Sequence, residues 1–206
     1  MSATSDTNKA SERLQFFLLP LGIAMLSAGC TFGGVTLAQQ LRYDRDAILA
    51  GQLWRLLTGH LVHLGGSHLA MNLVGLALIW MLFGRLMSTT AWLATLLSSA
   101  LTVSLGLLIF NPGLMWYVGL SGVLHGMFLA GAIISIVSGY RAEILLLGFI
   151  VAKLTWEQWV GPLPGSAEVA GGDVVVDAHL YGAIAGVIVA LVIVLWRRRG
   201  TPPAAT

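Results

Sequence analysis

Ser121 lies in Gly119-Leu120-Ser121-Gly122, His179 opens His179-Leu180-Tyr181-Gly182, and His68 stands four residues before Asn72. A hydroxyl nucleophile, an imidazole that can take its proton and two side chains that can donate hydrogen bonds to an oxyanion are the parts of acyl transfer by a serine. That chemistry needs no cofactor. Each group lies near the start of an apolar segment that ends at a basic residue. Arg85 follows His68 by 17 positions, Arg141 follows Ser121 by 20, and Arg197 follows His179 by 18. At about 1.5 Å of rise per helical residue, each group stands roughly 26–30 Å from its basic marker. This common depth joins three separate motifs into one candidate site.

The elements that must position these groups are membrane spans. The chain has 206 residues, 57% hydrophobic and 10% charged, with a mean hydropathy of +0.85. A soluble domain carries about 25% charged residues, so the class is an all-α polytopic membrane protein. Six spans read out, at about 14–38, 67–87, 91–110, 120–139, 142–160 and 175–196. Residues 1–13 form a polar N-terminal segment, 14–199 one membrane domain and 200–206 a tail. The first apolar stretch is longer than a cleaved signal sequence, so it is expected to be retained. The net charge of +2 is too small to suggest nucleic acid, and the lone Cys30 excludes an intrachain disulfide.

Charge sets the expected orientation. Lys9, Arg13, Arg85, Arg141 and Arg197 to Arg199 fall on one side, where an even number of spans also puts both termini. The positive-inside rule makes that side cytoplasmic. The other side receives Arg42, Arg45, Arg55 and the acids Glu168, Asp173 and Asp177. Residues 39–66 are too apolar for a free loop and are expected to form one or two short interfacial helices, with Trp54 at headgroup depth. Asn111-Pro112-Gly113 marks a turn, after which the apolar residues 114–118 lead inward to Ser121. Residues 161–173 read as a flexible outer loop.

At a helix start, Ser121 would meet backbone N–H groups that have no intrahelical partner and carry the positive end of the dipole. The competing reading is an N-cap or a small packing residue. Gly182 and Gly186 make a small-residue face matched by Gly122 and Gly126, and pairing the two faces would bring His179 to Ser121. His68 and Asn72 share a helix face; otherwise they are polar glue between helices. His125, one turn after Ser121, is a rival base expected to pack beneath His179. Asp177 precedes His179 by two positions and would point elsewhere on a helix, so the reading is a Ser121–His179 dyad. Lys153 and Glu157 are read as pairing with each other. His60, His63 and His68 lack a recognised metal-ligand spacing, and no metal is assigned.

At these residues the sequence resembles the rhomboid intramembrane serine proteases. The resemblance runs from Trp54 to Gly186 and includes Trp54-Arg55, His63, His68-x-x-x-Asn72, Gly119-x-Ser121-Gly122-x-x-x-Gly126 and His179-x-x-Gly182-x-x-x-Gly186. It implies a bundle of six transmembrane helices with an interfacial first loop and a cavity open to the outer side. It further implies Ser121 as nucleophile, His179 as base, and an oxyanion hole made by His68, Asn72 and the Ser121 backbone N–H. Arg55 and His63 would support the first loop. His125 departs from an aromatic residue that many rhomboids carry beneath the base.

Within the family, Gly119 to Gly126 and Lys153-Leu-Thr-Trp-Glu157 look like the rhombosortase branch. That likeness implies a bacterial inner-membrane enzyme with its site towards the periplasm. Its substrates would be transmembrane proteins ending in a Gly-Gly motif, a helix and a basic tail, with water or a lipid-derived amine as acceptor. The rivals are a catalytically inactive rhomboid-like binder of transmembrane clients, and a small transporter. A transporter would carry paired inverted repeats, and the sequence has none.

Overall fold

A computed structural model of the chain describes residues 3–200, with side chains for residues 16–198. The expected tail is outside the described residues from position 201, as are the side chains of the expected N-terminal segment. In chain order the elements are α1 (Ala3–Phe32), α2 (Val35–Leu41), β1 (Tyr43–Asp44), α3 (Arg45–Leu49), α4 (Arg55–Thr58), α5 (Gly66–Phe83) and α6 (Thr89–Phe110). There follow β2 (Trp116–Tyr117), α7 (Ser121–Val137), α8 (Glu143–Trp159), α9 (Ser166–Ala170) and α10 (Val176–Gly200).

Long helices occur at all six expected span positions, but they differ in reach. Gly66–Phe83, Thr89–Phe110 and Val176–Arg198 are each long and apolar enough to cross a membrane. Among the described side chains, Phe16–Phe32 and Val35–Leu41 pass together, bent by 120° at the break between them. The helix at the first expected span position ends at Phe32 rather than at 38, because the chain turns at Gly33-Gly34. The 17 residues of α7 reach about 26 Å, short of the roughly 30 Å hydrocarbon core. Its N-terminal end is approached instead by the extended segment before Ser121. Met25, Met81, Leu145, Phe149 and Trp196 all lie on the outer surface with most of their area exposed. Such a surface suits lipid rather than water.

The core is built around α7, which packs on α10, α6, α5 and α8. Its closest partner is α10. A Cβ on Gly182 would run into the carbonyl oxygen of Gly122, and one on Gly186 into that of Gly126. The reverse holds too, since a Cβ on Gly122 would come within 2.7 Å of the Ala178 carbonyl oxygen. The two small-residue faces meet, and this contact fixes how far along α7 the start of α10 sits. Towards the far end, Phe83, Trp80, Trp92, Met127 and Ile134 fill the interior.

The first loop is more structured than the sequence suggests. It contains α2, α3 and α4, and β1 pairs antiparallel with β2 through Tyr43–Tyr117 and Asp44–Trp116, a two-residue ladder that the all-α expectation omits. Arg45 Nη1 donates to the Leu108 carbonyl at 2.8 Å. Arg55 Nη1 donates to the Gln39 and Arg42 carbonyls at 2.8 Å each, and its Nε to Gln52 Oε1 at 2.8 Å. Trp54 is half exposed and its Nε1 donates to the Gln40 carbonyl at 3.3 Å. The loop at 161–173, expected to be flexible, is also ordered in part: α9 is a helical turn, and its Ala170 is buried.

Candidate active site

Ser121 is the first residue of α7, after Leu120, which offers no side-chain cap. The start of α7 lies at the edge of a cavity of about 940 Å³. That cavity is lined by Ser121, His179, His68, Asn72 and His125 among others. His179, on the first turns of α10, places Nε2 at 3.0 Å from Ser121 Oγ. Both the α7 start and the α10 face are set by the glycine crossing.

Gly119 has a φ of +122°, a conformation L side chains rarely adopt. It also presses on His68, since a Cβ there would come within 2.9 Å of His68 Nε2. The His68 Nδ1 accepts from the Leu64 N–H at 3.4 Å, which leaves the Nε2 edge as the donor. Asn72 Nδ2 donates to the His68 carbonyl at 3.0 Å, and both side chains are buried. His63 packs edge-on against His68, with ring centroids 5.0 Å apart, and its Nδ1 contacts Thr31 Oγ1 at 3.2 Å. His60 is drawn away to α6, where its Nε2 meets the Ala100 carbonyl at 2.9 Å and Ser104 Oγ at 3.0 Å. His63 and His68 pack together while His60 bonds to α6, so the three do not converge. Burial pushes the pKa values of His60 and His63 down to about 4.

His125 stacks on His179, with centroids 4.2 Å apart and planes inclined by 17°. Its Nδ1 donates to the Ser121 carbonyl at 2.8 Å, so the ring is engaged with its own helix. Asp177 is turned to the C-terminal end of α6, where the side-chain amide of the capping Asn111 donates to it. Lys153 and Glu157 do pair, with Lys153 Nζ 2.6 Å from Glu157 Oε1, but the pairing is not the whole arrangement. Glu157 Oε2 also lies 2.9 Å from His179 Nδ1, and Lys153 Nζ lies 3.0 Å from His125 Nε2. The dyad expectation leaves this carboxylate out because an i,i+4 lysine is by itself a sufficient partner for it. The signal was that an acid within a span is costly and seldom idle.

Ligand atoms of His125, Glu157 and His179 lie within 4.8 Å of one another, a grouping that could hold a metal. The Lys153 ammonium already stands among them, bonded to two of the three. The cation of this cluster is the protein's own.

The fold and cavity define a multi-pass helical membrane protein with a serine–histidine pair at the start of two closely packed helices. The profile of the Rhomboid domain matches residues 50–196, most of the chain, and the protein belongs to the rhomboid family. That family is one of intramembrane serine proteases. No curated protein matches the sequence.

Proposed function

We propose that the protein is an active intramembrane serine endopeptidase in which Ser121 is the nucleophile and His179 the general base and acid. The observation that carries this reading is the 3.0 Å contact between Ser121 Oγ and His179 Nε2 within the cavity. Attack by Oγ on a peptide carbonyl would pass the hydroxyl proton to Nε2 and place negative charge on the carbonyl oxygen. The Ser121 backbone N–H, His68 and Asn72 would stabilise that charge. Collapse would expel the amine with the proton from His179, and water or another amine would resolve the acyl-enzyme.

In this reading α1, α5, α6, α7, α8 and α10 are six spans of a bacterial inner membrane. Both termini are cytoplasmic and the cavity faces the periplasmic side. The substrates are transmembrane proteins of the kind associated with the rhombosortase branch, ending in a Gly-Gly motif, a helix and a basic tail. A lipid-derived amine is a candidate acceptor beside water. The likeness of residues 119–126 and 153–157 to that branch supports this choice. A catalytically inactive client binder is the alternative. It gains nothing from a serine and a histidine held in hydrogen-bond contact, a costly arrangement in a membrane.

The test is cleavage, in liposomes, of a fusion carrying that tripartite tail, with the new C-terminus read by mass spectrometry. Cleavage near Gly-Gly by wild type supports the full reading. Cleavage of a generic rhomboid substrate alone removes the branch. With both left intact by folded enzyme, the inactive reading is favoured.

A further inference from the structure

Glu157 is 3% exposed and uses its two oxygens separately, Oε1 for Lys153 Nζ at 2.6 Å and Oε2 for His179 Nδ1 at 2.9 Å. The partners fix where each proton lies. A carboxylate held against an ammonium accepts, so His179 Nδ1 carries its ring proton and Nε2 is the basic nitrogen facing Ser121 Oγ. A carbonyl can only accept, so His125 Nδ1 donates to Ser121, and His125 Nε2 is left to accept from Lys153. These bonds close a ring. It runs from the Ser121 carbonyl through His125, Lys153, Glu157 and His179 back to the Ser121 hydroxyl.

We propose that Glu157 is the positioning residue of the site. It holds His179 in the tautomer that can accept the Ser121 proton, and it stabilises the imidazolium that results. Lys153, anchored on His125, keeps the carboxylate ionised and aimed. This inference rests on the reading of Ser121 and His179 as the reacting pair. During attack the Ser121 Oγ–C bond forms, the carbonyl electron pair moves onto oxygen, and the hydroxyl proton passes to His179 Nε2. Glu157 takes no proton and remains a carboxylate. When the intermediate collapses, the C–N bond breaks and the Nε2 proton leaves with the amine. A surface ion pair would have no part in this, but a buried carboxylate bonded to the far nitrogen of the base does.

The alternative is that Glu157 merely neutralises Lys153 and holds α8 against α7 and α10. Two variants separate these roles. Glu157→Gln removes the negative charge and allows the amide to donate to Nδ1, which would favour the wrong tautomer. Lys153→Met combined with Glu157→Gln removes both charges, so no buried ammonium is left unpaired. Wild type, Ser121→Ala and both variants are purified and compared by rate of phosphonylation with a fluorophosphonate probe and by steady-state cleavage of the tripartite-tail fusion. The probe needs no substrate helix, so this arm stands even when that fusion is not a substrate.

The expected result is a fall of about 10²-fold or more in labelling rate and in kcat for both variants, as removal of the acid costs in soluble serine hydrolases. KM should stay within about twofold, and the double variant should melt near wild type. A variant that labels and turns over within about threefold of wild type, or that changes KM alone, overturns the role of Glu157. Labelling or cleavage by Ser121→Ala would instead overturn the Ser121–His179 reading.

Discussion

His125 and His179 lie face to face, 4.2 Å between centroids, although one belongs to α7 and the other to α10. The stack gives the base a floor and leaves its two nitrogens free for Ser121 and Glu157. His125 itself spends Nδ1 on the Ser121 carbonyl.

An aromatic ring without nitrogens should still serve as the floor, with a modest loss because Lys153 then keeps only its bond to Glu157. His125→Phe is expected to keep cleavage within about tenfold of wild type, because general-base transfer contributes about 10²–10⁴-fold and resides at His179. His125→Ala, which removes the stacked ring, should lose more. Complete loss of cleavage in well-folded His125→Phe would show that His125 does more than floor the base, and loss in His125→Phe with full activity in His179→Ala would reinstate it as the base.

The glycine crossing predicts a packing defect at a distance from the chemistry. Gly182→Leu has no room beside the Gly122 carbonyl, and α7 and α10 must separate to admit it. Overpacking of this kind costs about 1–3 kcal/mol and would also move His179 from Ser121. The expected outcome is a lower melting temperature together with loss of fluorophosphonate labelling. A variant that melts and labels like wild type would mean the crossing is looser than the clash of a Gly182 Cβ with the Gly122 carbonyl implies.

The oxyanion donors should affect rate rather than binding. His68→Ala and Asn72→Ala are each expected to lower kcat by roughly 10²–10³-fold, the usual cost of one such donor, with KM little changed. A fall in substrate binding with kcat preserved would assign both residues to helix packing. Single-turnover rates and binding measured separately decide it.

Acid should destabilise the first loop before it affects the spans. His60 and His63 have pKa values near 4, below the unfolded value of about 6.5. The unfolded chain binds more protons in that interval, so stability falls as pH drops from about 6.5 to 4. Each group contributes up to about 1.4 kcal/mol per pH unit there. Melting temperature should decline over this window, and His63→Gln, which can still bond Thr31, should decline less steeply. Parallel curves would place the effect elsewhere.

Much of the site was legible because membrane chemistry is restrictive. The spacing of Ser121, His179 and His68 from their basic markers pointed to one site, and the three line one cavity; small-residue spacing alone predicted that α7 and α10 meet. What the sequence concealed were relationships between segments with no periodic signal. The two-residue ladder of Tyr43–Asp44 with Trp116–Tyr117 is too short for strand alternation to show. The break after Phe32 lies inside a run whose hydropathy continues to Leu37. Glu157 was hidden by its neighbour, since Lys153 at i−4 is a sufficient partner within one helix and the second carboxylate oxygen is seen only in three dimensions.

The most direct test of the central claim is the fluorophosphonate labelling rate of purified wild type, Ser121→Ala and His179→Ala, each shown to be folded. With Ser121 as nucleophile and His179 as base, wild type is labelled at a single site, mapped to Ser121 by mass spectrometry, and neither variant is labelled above background. Labelling of Ser121→Ala at the wild-type rate, or a folded wild type that never labels while a known serine hydrolase does, would contradict it.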